Sequence, residues 1–153
     1  MTLVGANVAR LEPRTPSCPR HVAMKTIWTL PVQSTALLDG GVSIEVRPPR
    51  QIALSYSFEA DDDARAEHEL LIFDRVEAFK CTYYDARDDA MLAAYDRLVD
   101  VGETEWRQQV ATNLQRRGGE TSDLRHLLFN FDDGPCFEII CRGFHVERRE
   151  RSN

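Results

Sequence analysis

The chain lacks the signatures that mark the well-defined enzyme classes. It has no G-x-G-x-x-G, no Walker loop, no H-E-x-x-H and no G-x-S-x-G. Dinucleotide-binding folds, phosphate-loop NTPases, zincins and α/β-hydrolases are therefore not indicated. No pair among its four cysteines (Cys18, Cys81, Cys136 and Cys141) has C-x-x-C spacing. Reduced, small, buried thiols in a cytoplasmic protein are the expectation. No apolar run approaches a membrane span. Basic charge is also short, with 19 Lys and Arg against 25 Asp and Glu, a net charge of −6. That balance argues against a surface built for nucleic acid phosphates.

What is present suits one soluble domain. The 153 residues can bury a core without disulfides or metals, and 42% apolar with 29% charged residues is a globular balance. The strongest local signal is Leu124–Glu147. There, two strand-forming runs flank Asp132-Asp133-Gly134-Pro135. A three-residue loop, a type I turn closed by a left-handed Gly134, is preferred to a two-residue loop, which would pair the strands one residue out and mix the faces. It places Leu127, Phe129, Phe131, Phe137, Ile139 and Cys141 on one wholly apolar face. His126, Leu128, Asn130, Cys136, Glu138 and Ile140 fall on the other. Cys136 and Cys141, five apart on one strand, point to opposite faces.

Residues 1–23 differ from the rest. They carry Pro13, Pro16 and Pro19, three arginines, one acid and no usable periodicity. They read as a disordered arm or an over-extended start before Met24, and without them the net charge becomes −8. A single domain is expected over 24–147, with 148–153 a charged, frayed tail. Within it, Thr26–Val32 reads as an edge strand broken by Pro31. Val42, Ile44 and Val46 form the inward side of a half-buried strand. Ile52, Leu54, Tyr56 and Phe58 form that of its antiparallel neighbour. Glu59–Glu69 reads as a solvated acidic link, because Asp61-Asp62-Asp63 lacks the alternation and bend glycine of a calcium loop. Leu70–Tyr84 is extended with a bend at Asp74-Arg75. Asp88 or Asp85 caps a helix with Met91, Leu92 and Tyr95 on one side, a stripe that Leu98 and Val99 extend; a helix that ends earlier leaves Leu98–Val101 as a short extended piece. Thr104 caps a second helix bearing Trp106, Val110 and Leu114 on one stripe, ended by Gly118-Gly119. Strands, two short helices and a closing hairpin predict an α+β fold, an antiparallel sheet with helices on one face. A small β-sandwich or half-barrel with a helical patch is the alternative.

The candidate chemistry lies on the second hairpin face. His126 near Glu138 and Asn130 has the composition of a general base, and Cys136 that of a nucleophile beside it. The plainer reading is a hydrogen-bonded strand histidine and a small apolar thiol. No cofactor and no metal site are expected.

Tyr95-Asp96-Arg97-Leu98-Val99, Trp106 and the hairpin Asp133-Gly134-Pro135-Cys136-Phe137-Glu138 carry a resemblance. They resemble small bacterial proteins of uncharacterised function with a YD-x-LV stretch, a Trp opening a helix and a closing D-x-G-x-C-[FY]-E hairpin. The resemblance covers the C-terminal half and implies no activity and no site residues.

Three functions compete. The first is a non-enzymatic binding protein, of the immunity or antitoxin-like kind, docking a basic partner on the acids of the helical segment, Asp85 to Glu105. The second is an enzyme or small-ligand binder using His126, Cys136 and Glu138. The third is a homo-oligomer formed through an exposed sheet edge.

Overall fold

The structure, a computed structural model, describes residues 24–31, 41–59, 66–131 and 134–150. Their elements run β1 (Lys25–Thr29), β2 (Ser43–Arg47), β3 (Gln51–Glu59), β4 (Ala66–Asp74) and β5 (Ala78–Thr82). After them come α1 (Asp89–Ala93), β6 (Arg97–Asp100), α2 (Glu105–Gln115), β7 (Arg125–Asn130), β8 (Cys136–Cys141) and β9 (Gly143–Glu150). The strands form two antiparallel sheets. The five-stranded one has the order β1-β6-β7-β8-β5 and the four-stranded one β2-β3-β4-β9.

The α+β expectation is therefore corrected: the described chain is mostly β, in two sheets. The physical reason is visible in the core. Ile52, Leu54 and Tyr56 of β3 and Leu71 and Phe73 of β4 are buried in one cluster with Leu127, Phe129, Phe137 and Ile139 of β7 and β8. Each sheet covers the apolar face of the other, a task that α1, five residues long, and α2, with no buried residue, cannot perform. Alternation identifies strands, but it does not say which sheet a strand joins. Aromatic rings knit the layers. Trp28 of β1 lies 5.7 Å from Phe129 and 6.4 Å from Phe144 of β9, and Tyr56 meets Phe131 at 5.6 Å.

The hairpin register is the one expected. Leu127 pairs with Ile139, Phe129 with Phe137 and Asn130 with Cys136. Gly134 is not left-handed, however, since the positive-φ glycines are Gly41, Gly102 and Gly118. Its role is close approach, because a Cβ there would stand 2.9 Å from the Cβ of Phe131. Asp132 and Asp133 lie outside the described residues, as do residues 1–23 and Asp61-Asp62-Asp63.

Two boundaries move, and one strand is more open than expected. β9 continues to Glu150, pairing Glu67 with Glu150, so the domain takes in part of the segment read as a tail. The acidic link is shorter than expected, because β3 reaches Glu59 and β4 begins at Ala66. β2 is an edge strand whose apolar side is left open, with Ile44 40% and Val46 66% exposed. Their partners Leu54 and Ile52 are buried, so β2 overhangs the core rather than lining it. The bend after Asp74 is present, with Arg75 at φ 50°. Among the described residues no helix is long and apolar enough to cross a membrane.

Candidate functional site

The outer face of the five-stranded sheet carries the candidate residues. On this face Lys80 of β5 is paired with Glu138 of β8, and Glu138 with Leu128 of β7. His126 is one pair further along β7, opposite Ile140, so it is diagonal to Glu138. β6 runs antiparallel to β7 on the other side and carries the ladder on with Val101 N–H donating to the His126 carbonyl at 2.9 Å. The chain then turns at Gly102, which has φ 71° and donates its N–H to Asp100 Oδ1. Thr104 arrives two residues later, beside His126.

Helix capping places the remaining groups. Asp88 accepts from the Met91 N–H and starts α1; Thr104 accepts from the Arg107 N–H and starts α2. Met91 and Ala94 pack on Val99, Leu128 and Cys136, which fixes α1 to the sheet. Trp106, in the first turn of α2, is only half-buried and meets the His126 ring edge-on, 5.1 Å between centroids. Arg107 reaches back from α2 to the Leu124 carbonyl at 2.8 Å and to Glu103, tying helix to strand.

His126 is 4% exposed and held from both sides. Its Nδ1 lies 2.8 Å from Thr104 Oγ1 and its Nε2 3.2 Å from Glu138 Oε2. A proton on Nε2 avoids setting a lone pair against the carboxylate, so in the neutral ring Nδ1 accepts from the Thr104 hydroxyl. The Nε2 contact is short enough for charge to act, but its alignment is not that of a hydrogen bond, and Nε2 has no aligned acceptor. The histidine holds the Glu138 carboxyl below its ordinary range; burial opposes this and Lys80, 3.9 Å away, adds to it. Lys80 Nζ also sits 3.8 Å from the centre of the Trp106 ring.

These side chains border a cavity of about 350 Å³. Thr104, Trp106, His126, Asp88, Glu105 and Glu138 make its polar wall, with Met91, Val101 and Leu128 among its apolar lining. Of the expected residues, His126 and Glu138 are brought together there. Cys136 shares their face but does not line the cavity. It is fully buried, and burial pushes its thiol up to about 12, so no thiolate nucleophile is present at neutral pH. Asn130 is spent on structure, its amide donating to the Met91 carbonyl and its oxygen accepting from Arg87. Among the described residues no group of three His, Cys, Asp or Glu side chains is placed to hold a metal ion.

Sequence reasoning missed Lys80, the meeting of Trp106 with His126 and the second role of Thr104. Each is brought in by cross-element pairing, and the only signals were a helix-capping threonine and one of two lysines. The acids expected to form a docking face divide. Asp100 is paired with Arg125 at 2.9 Å and Glu103 with Arg107, while Asp85, Asp88, Asp89 and Glu105 are exposed. Tyr95 forms a parallel bridge to Asn130, and Asp96 is left-handed at φ 53°, which joins the YD-x-LV stretch to β7. Comparison with family models, with curated proteins and with solved structures finds no match.

Proposed function

We propose that this protein binds a small molecule in the cavity bordered by His126, Glu138, Thr104 and Trp106. The observation that carries the reading is a cavity of about 350 Å³ with an oriented imidazole in its wall. It has the usual composition of a ligand site, with an apolar lining and a few convergent polar groups. The reading does not draw on Cys136, which is shut in the packing under α1.

The test is a screen of cationic, neutral and anionic fragments by amide and indole NMR. The chain has two tryptophans, so two indole signals separate the cavity from the core: Trp106 reports the site and Trp28 the packed interior. Fragments that shift Trp106 and His126 while leaving Trp28 unmoved support the proposal. A library that shifts neither at millimolar concentrations overturns it.

A second reading keeps the expected protein partner. Asp88 and Glu105 line the cavity and are exposed, as are Asp85 and Asp89, where a basic protein would meet them. A stoichiometric basic partner, recovered by pull-down and lost on Asp85→Lys with Asp89→Lys, supports it; recovery of no such partner counts against it.

A further inference from the structure

Resting on the small-ligand reading, we infer that the ligand is an organic ammonium ion carrying a neighbouring oxygen acceptor, a small amino alcohol or amino carbonyl compound. Two independent observations point there. The first is that the protein already seats an ammonium group on this wall. Lys80 Nζ lies 3.8 Å from the Trp106 ring centre and 3.9 Å from Glu138 Oε1. An aromatic face beside a carboxylate is the recognised seat of such a cation. Both members of that seat line the cavity, whereas Lys80 does not. Lys80 itself is 47% exposed on an edge strand, and such a side chain is free to leave.

The second is His126. The side chain is more than nine-tenths buried, lines the cavity, and presents an Nε2 with no aligned acceptor. With Nδ1 engaged by Thr104, the Nε2–H is the donor left for a ligand oxygen. The charge of the lining fits the same ligand. Asp88, Glu105 and Glu138 are acidic, and among the described residues no lysine or arginine lines the cavity. An anion would meet three carboxylates, and a neutral molecule would leave the Trp106–Glu138 seat to Lys80. A ligand ammonium replaces the Lys80 ammonium on Trp106 and Glu138, while its oxygen accepts a hydrogen bond from the His126 Nε2–H.

Lys80 is thus a competitor for the site rather than a ligand contact, and this makes the inference falsifiable. The probes are 2-amino-1-phenylethanol, 2-phenylethylamine and 3-phenylpropionate, titrated against the full chain and against Lys80→Met and Glu138→Gln, with both indole signals followed. We expect the amino alcohol to bind best and the carboxylate worst. Lys80→Met should tighten ammonium binding about three- to tenfold, the scale of a partly exposed cation–aromatic contact. Glu138→Gln should weaken it, and circular dichroism establishes that both variants are folded.

Preference for the carboxylate, or loss of ammonium binding in Lys80→Met, overturns the ligand class while leaving the cavity a binding site. Equal binding of the amine and the amino alcohol overturns the oxygen contact. If no probe and no library fragment moves Trp106, the small-ligand reading itself fails.

Discussion

Thr104 Oγ1 stands 2.8 Å from His126 Nδ1 and 3.2 Å from the Arg107 amide it caps. One hydroxyl therefore closes the first turn of α2 and engages Nδ1 of the buried ring. Thr104→Val removes both contacts and should cost about 1–2 kcal/mol, the range for a lost cap or a newly unsatisfied buried group. Thr104→Ser should keep most of that. Urea unfolding measures the cost. Nitrogen chemical shifts of His126 should show the Nε2–H tautomer in the wild type and, because Glu138 still faces Nε2, in Thr104→Val as well.

Glu138 makes part of the stability depend on pH. His126 first, and Lys80 after it, hold its carboxyl below the ordinary value of 4.5. The folded chain thus binds this proton less readily than the unfolded one. The resulting stabilisation is present above about pH 4.5 and is lost as pH falls from there through the lower folded value. In Glu138→Gln this contribution is missing at every pH. The stability gap between wild type and variant should narrow on acidification. Urea midpoints from neutral to acid pH test it, and a constant gap rules it out.

The three described cysteines should separate cleanly by reactivity. Cys81 is exposed, while Cys136 and Cys141 are buried with thiols pushed up to about 12. In the native protein iodoacetamide should label Cys81 and spare Cys136 and Cys141, which should react only after denaturant is added. Peptide mapping reads the result. Rapid native labelling of Cys136 would also reopen its role as a nucleophile.

Gly134→Ala should destabilise the β7–β8 hairpin although no left-handed backbone is involved. The new methyl would lie 2.9 Å from Phe131 Cβ, and Phe131 is fully buried. Overpacking of this kind costs about 1–3 kcal/mol. A melting temperature equal to wild type would show that the turn yields without loss.

β2 and β3 should respond in opposite ways to the same change. Val46 and Ile52 are cross-strand partners, yet Val46 is 66% exposed and Ile52 2%. Ile52→Ala should cost about 2–5 kcal/mol by opening a cavity. Val46→Ala should stay within about 0.5 kcal/mol. Chemical denaturation of the pair tests whether β2 overhangs the core.

The hairpin was readable in the sequence because one register alone gives a wholly apolar face, and that is the register observed, although Gly134 is not left-handed. The two helix caps were readable for a similar reason: Asp88 and Thr104 act on amides three residues away. Val46 was not, because alternation reports which way a side chain points and not whether the opposite layer extends that far. The two-sheet arrangement was readable only as the alternative, for the same reason. His126 and Glu138 followed from the register alone. Lys80 and Trp106 did not, since their meeting requires β5 and α2 to converge on β8, a relation with no local spacing to reveal it.

β7 lies in the middle of the five-stranded sheet, hydrogen-bonded to β6 on one side and β8 on the other. The residues that fill the core and the residue that orients the site alternate along this one strand, Leu127 and Phe129 inward and His126 outward. Backbone in that position exchanges its amide hydrogens only through the rarest, most global openings. The imidazole is therefore mounted on the last part of the molecule to loosen. A ligand that binds it should slow exchange throughout the domain, by about RT ln(1 + [L]/Kd) in free energy, rather than quiet one loop.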